Sequence, residues 1–115
     1  SDVCSSDLLT GFDAFLKTFP RSEMADDAQF FIGETYFAQN RWMDAVTAYN
    51  QVIQTYPTGN AVPDAYYKRG LALERMGQID GAQESWNAAV KSFPDSDAGR
   101  LAKQSLDRVA RRATP

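Results

Sequence analysis

Three aromatic-proline pairs, Phe19-Pro20, Tyr56-Pro57 and Phe93-Pro94, stand 37 residues apart in this chain. Other positions keep the same interval: Phe12, Tyr49 and Trp86; Leu16, Ile53 and Val90; Gly33 and Gly70; Ala45 and Ala82; Asn40 and Gly77. Self-similarity at this length points to stacked helical hairpins, in which each unit buries its apolar face on its neighbour. With 115 residues there is room for one such domain and no second. Arrays of this kind present long surfaces for contact rather than enclosed catalytic centres.

Between the landmarks, apolar residues recur with helical period. Ala25–Ala38 places Ala28, Phe31, Ile32, Thr35 and Tyr36 on one stripe. Ser22 stands where a cap belongs, and Glu23, Asp26 and Asp27 suit the positive end of the helix dipole. Asn40 and Gly77 occupy the helix exits, where the left-handed conformation must be tolerated. The second helix of each pair covers about residues 43–56 and 79–93. The former directs Ala45, Ala48, Tyr49, Val52, Ile53 and Tyr56 inward, and the latter Ile79, Ala82, Trp86, Ala89, Val90 and Phe93. Small Ala45 and Ala82 allow close approach, and Tyr49 and Trp86 fill the space one turn on. Each unit ends at aromatic-proline because Pro cannot continue a helix and pushes its predecessor out of the α region.

A further first helix is expected over about residues 62–76, with Pro63 in its first turn and Ala65, Tyr66, Leu73 and Met76 inward. The last, about 97–112, has Ala98, Leu101, Ala102, Leu106 and Val109 on one side and a basic, polar outer side, as a terminal cap requires. Residues 9–19 follow the second-helix register through Phe12, Leu16 and Phe19, so the partner of that helix is expected upstream. The expected fold is therefore all-α, a solenoid of antiparallel helix pairs. It consists of a half repeat, two full repeats and a C-terminal capping helix over residues 9–112, with 113–115 as a tail. Residues 1–8, Ser-Asp-Val-Cys-Ser-Ser-Asp-Leu, read like the translation of a common sequencing adapter and are expected to be a non-native leader.

Composition narrows the function classes. An apolar fraction of 43% and a charged fraction of 23% suit a folded globular domain rather than a disordered tail. No apolar run nears the roughly 20 residues that span a bilayer, so direct membrane insertion is not expected. The net charge of −3 divides unevenly: residues 1–99 carry 7 basic and 14 acidic side chains, whereas 100–115 carry 5 basic and 1 acidic. That basic end fits a solvated cap, and without a basic stripe across the domain nucleic acid is not an expected partner. There is no His, so a Ser or Cys nucleophile would lack its usual base. The lone Cys4 supports neither an internal disulfide nor a metal site, and no glycine loop is built to cradle phosphate. No catalysis, metal or cofactor is expected.

These positions resemble the tetratricopeptide repeat, whose consensus asks for two large residues, Gly, an aromatic, Ala, an aromatic, Ala and Pro. The first unit offers Gln29, Ile32, Gly33, Tyr36, Ala45, Tyr49, Val52 and Pro57. The second offers Tyr66, Arg69, Gly70, Leu73, Ala82, Trp86, Ala89 and Pro94. Gln29 and Arg69 depart from the pattern, and the units exceed the usual 34 residues by three.

A narrower resemblance rests on the segments Ala-Gln-Phe-Phe-Ile-Gly-Glu-Thr-Tyr and Ala-Tyr-Tyr-Lys-Arg-Gly-Leu-Ala-Leu, and on the terminus from Phe93 to Arg108. They look like the C-terminal domain of the Tol-Pal system protein YbgF family, also called the cell division coordinator CpoB family. That resemblance implies a periplasmic, non-catalytic adaptor that binds TolA and links outer-membrane constriction to septal peptidoglycan synthesis by a bifunctional penicillin-binding protein. Its trimerising coiled coil has no counterpart here, so oligomeric state does not carry over. Similar repeats occur in outer-membrane assembly lipoproteins such as BamD and in generic peptide-binding scaffolds.

In tetratricopeptide arrays the first helix of each pair lines a concave side. Mapped by register, that side here comprises Asp27, Phe30, Glu34, Phe37, Asp64, Tyr67, Leu71, Glu74 and Arg75, closed by Gln104 and Arg108 of the cap. Its floor is expected to be acidic, through Asp27, Glu34, Asp64 and Glu74. The expected guest is a peptide or helix with apolar anchors and some Lys or Arg.

Overall fold

The structure, a computed structural model, describes residues 2–19 and 24–113, with the backbone alone for 2–7 and 113. The described residues form six helices and no strand: α1 (Asp2–Thr18), α2 (Ala25–Ala38), α3 (Trp42–Thr55), α4 (Val62–Arg75), α5 (Ile79–Ser92) and α6 (Asp97–Ala113). Each helix packs against the next in sequence, and α4 also touches α2 and α6. The even-numbered helices thus make one layer and the odd-numbered ones the other, in a body of 50 × 31 × 18 Å. This is an all-α solenoid of stacked hairpins.

The two chain reversals within hairpins are built alike. Asn40 and Gly77 take φ of 61° and 79°, the left-handed region that a helix exit uses. One residue on, the Arg41 and Gln78 amides return to the Tyr36 and Leu73 carbonyls, each at 2.9 Å, which closes orphan carbonyls at both ends. Between hairpins, the Tyr56 and Phe93 amides make the last helical bonds, to Val52 and Ala89, before proline stops the run. Ser96 then caps α6: its Oγ accepts from the Gly99 amide at 2.9 Å and donates to the Phe93 carbonyl at 2.7 Å. Its counterpart Ser22 lies outside the described residues.

The core follows the repeat ladder. Tyr49 and Trp86 are fully buried, as are Ala45, Val52, Ala65, Ala82, Ala89 and Ala102. Each large ring lies on a glycine of the preceding helix. A Cβ built on Gly33 would stand 2.5 Å from Tyr49 Cε1, and one on Gly70 would overlap the Trp86 indole at Nε1. The ring tips are also satisfied. Trp86 Nε1 donates to the Tyr67 carbonyl at 3.1 Å, and the Tyr49 hydroxyl donates to Glu34 at 2.5 Å. Burial and the Glu34 carboxylate together push the Tyr49 hydroxyl far above its ordinary pKa.

The two departures from the consensus have polar jobs. Gln29 is buried and its Nε2 donates to the Ala48 carbonyl at 3.3 Å. Arg69 of α4 bridges α5 and α3: Nε donates to Ser85 Oγ at 3.0 Å and Nη1 to Asn50 Oδ1 at 2.7 Å, with the guanidinium over the Tyr66 ring. Burial lowers the Arg69 pKa below its usual value.

Several expectations need correction. Phe31 is not on the buried stripe. It is 49% exposed and stacks on Phe12 of α1 at 5.9 Å, because its face of α2 is turned away from α3. Ile79 and Leu101, expected inward, are 37% and 41% exposed; Ile79 stands at the chain reversal, and Leu101 borders a hollow facing α4. Asp26 does more than favour a helix dipole. It is buried, and its Oδ2 accepts the Ala61 amide at 3.0 Å, which pins the α3–α4 loop to α2. The backbone of α1 runs from Asp2, through most of the segment read as a leader.

Candidate peptide-binding trough

The residues mapped to the concave side all lie on α2, α4 and α6, the layer formed by the even-numbered helices. Towards the C-terminal end, Tyr67 and Leu71 of α4 face Leu101, Gln104 and Arg108 of α6 across a hollow of about 470 Å³. Four expected site residues, Tyr67, Leu71, Gln104 and Arg108, therefore meet in one place. Leu101 was missed because helical period alone put it on the packed side of the cap.

Glu74 of α4 holds Arg108, one of the residues lining that hollow. Its carboxylate takes two hydrogen bonds from Arg108, at 2.6 and 3.0 Å, and Arg112 approaches to 3.8 Å. The bonds from Arg108 hold the Glu74 carboxyl below its usual pKa and raise that of Arg108. Arg108 also lies over the Trp86 ring, 5.8 Å from its centroid.

The middle is an aromatic-cation cluster. Phe37 meets Trp42 edge-on at 5.0 Å, with Lys68 over the outer face of Phe37 and Arg75 over Trp42. Lys68 also reaches Glu34 at 3.7 Å. Lys68 and Trp42 were not among the expected residues. Lys68 shares its helix face with Asp64 and Leu71, a spacing of four and three that could have flagged it. Phe30 is engaged differently, tilted against Tyr49 at 5.6 Å, so its ring packs between α2 and α3.

The acidic floor is narrower than expected, because Glu74 and Glu34 are paired with cations. What remains acidic are carboxylates in the first turns of the even-numbered helices. Burial and neighbouring Asp26 raise the pKa of Asp27. Asp64 is raised by burial, then by Glu34 and Asp97, with Lys68 opposing. These first turns favour positive charge, while the hollow between α4 and α6 presents Arg108 and Arg111, with Asp107, beside Tyr67, Leu71 and Leu101. Among the described residues no cluster of His, Cys, Asp and Glu could hold a metal ion, and no helix is long and apolar enough to cross a membrane.

Helical hairpins stacked and repeated in this way define the class: an α-solenoid. Residues 33–77 match the family described as TPR repeat, and residues 64–96 match the one described as tetratricopeptide repeat. The domain is a tetratricopeptide repeat array, and arrays of this kind act as protein–protein interaction modules. No curated protein matches the chain.

Proposed function

We propose that the chain is a non-catalytic adaptor that holds a segment of a partner protein in the trough along α2, α4 and α6. The observation that carries this reading is the hollow between α4 and α6, where Tyr67, Leu71 and Leu101 offer apolar contact beside Gln104 and Arg108. Tyr and Arg in such a setting are the residue types that most often dominate a contact surface. A guest with apolar anchors in this hollow and a Lys or Arg near Asp27 and Asp64 would match both features.

Resemblance of the repeat segments to the YbgF/CpoB family supports a finer reading: a periplasmic coordinator that binds TolA and acts alongside a bifunctional penicillin-binding protein. Calorimetric titration of purified TolA into the chain tests both levels. Binding is expected, with at least a tenfold loss for Tyr67→Ala combined with Leu101→Asp while the helical signal is unchanged. Equal affinity in that variant would remove the trough assignment. Absence of binding to the parent chain would remove the Tol-Pal reading.

A further inference from the structure

The layer of even-numbered helices carries opposite charge along its two edges. On the edge where these helices begin stand Asp27 of α2, Asp64 of α4 and Asp97 of α6. They lie close enough to act on one another, since the Asp64 carboxyl is raised by burial and then by Glu34, Asp97 and Asp27. Asp97 is paired with Arg100 on its own helix, which leaves Asp27 and Asp64 for a partner.

On the edge where the helices end stand Arg75 of α4 and Arg111 and Arg112 of α6. Arg108 through its hydrogen bonds, then Arg112 and Arg75 through charge alone, hold the Glu74 carboxyl low. Against these arginines stand only Glu74 and Asp107, so the edge keeps a net positive charge. Asp64 and Arg111 are exposed, and neither makes an ion pair with a described residue.

Between the edges, Tyr67, Leu71 and Leu101 supply apolar contact. Asp64 and Arg75 are eleven residues apart on one helix, about 16 Å at 1.5 Å per residue. A helix with its side chains is about 10–12 Å across, so one helix lying across the layer fills that width and its longer side chains meet both edges. An extended strand has two faces and cannot present apolar anchors and two separate charges at once. A helix has room for all three.

Resting on the trough reading above, we propose that the partner segment is an amphipathic helix with flanks sorted by sign. Lys or Arg runs along the flank beside Asp27 and Asp64, and Asp or Glu along the flank beside Arg75 and Arg111. Sorting matters more than the amount of charge. A flank of mixed sign sets Lys against Arg75 or Glu against Asp64, and like charges in apposition weaken a contact.

The test uses the full chain and two labelled designed peptides of about 20 residues, about 30 Å long as helices, read by fluorescence anisotropy at low salt. Both carry the same stripe of Leu and Tyr and equal numbers of Lys and Glu. The sorted peptide has Lys on one flank and Glu on the other, and the mixed peptide alternates them on both. The sorted peptide is expected to bind the parent about tenfold more tightly than the mixed one. Asp64→Lys with Arg111→Glu keeps the net charge and should bring the two peptides within about threefold of each other. Both side chains are exposed, so this variant should keep the parent's circular dichroism. Comparing the same peptides on both proteins cancels any difference in their own helicity. A central Pro in the sorted peptide should abolish its binding.

Equal affinities on the parent, a preference that survives the exchange, a Pro peptide that binds as well, or no binding at all each overturns the proposal. So does self-association of the chain that the exchange abolishes, since a second copy would then be the occupant. Tyr67→Ala with Leu101→Asp separates this inference from the trough reading. If that variant loses both peptides while the parent does not discriminate between them, the trough stands and the sorted helix falls. If the peptides bind and ignore that variant, the trough reading falls and this inference with it.

Discussion

Glu74 of α4 and Arg108 of α6 are joined by two hydrogen bonds, at 2.6 and 3.0 Å, 34 residues apart in sequence. This pair ties the capping helix to the layer it ends. The Glu74 side chain is largely covered and that of Arg108 is about one-third exposed, so solvent screens the pair only in part.

Arg108→Ala is therefore expected to cost about 1 kcal/mol, a charged hydrogen bond discounted for exposure. Because folding depresses the Glu74 pKa, the stabilisation is complete above the unfolded carboxylate value of about 4.3. It is lost as pH falls through the depressed folded value. Urea melts at pH 7 and pH 3 should show the parent losing more stability on acidification than Arg108→Ala does.

Gly70 and Trp86 set the distance between α4 and α5. Gly70→Ala drives a methyl into the indole and should destabilise by about 2 kcal/mol, in the range of core overpacking. The cost should shrink in a Trp86→Leu background, where the space is free. A double-mutant cycle from denaturant melts checks this, with a coupling energy near zero counting against direct contact.

Asp26 holds the α3–α4 loop through the Ala61 amide at 3.0 Å. Asp26→Ala leaves that buried donor unpaired and should cost about 1–3 kcal/mol. Faster hydrogen exchange is expected at Ala61, with less change in α5. Uniformly faster exchange would show global rather than local opening.

Asn40 and Gly77 make matching turns with different residues, so substitutions there should have opposite signs. Gly77→Ala meets no neighbour and pays only the left-handed backbone strain, about 1 kcal/mol. Asn40→Gly relieves a φ of 61° and should stabilise by a few tenths of a kcal/mol or leave stability unchanged. Thermal melts of the two variants give the comparison directly.

Local chemistry made most of the fold readable before any coordinates. Helical period, aromatic-proline stops and the Asn40 and Gly77 exits placed α2 to α6 within a residue or so of their observed ends. These signals act over one or two turns, so the sequence carries them intact. The pairing of Gly33 with Tyr49 and Gly70 with Trp86 was likewise implicit in the 37-residue ladder. Register also brought Tyr67, Leu71, Gln104 and Arg108 to one layer.

Tertiary structure alone decided which of several available faces each helix turns to its neighbours. Periodicity says that Phe31 and Leu101 lie on apolar stripes, but a stripe is covered only where another helix reaches it. Charge followed the same rule. Glu74 counts as an acid in the sequence, and only the approach of α6 makes it the anchor of Arg108 rather than part of an acidic floor. The partners are tens of residues apart, and their meeting depends on how one hairpin is rotated on the next, which no local pattern encodes.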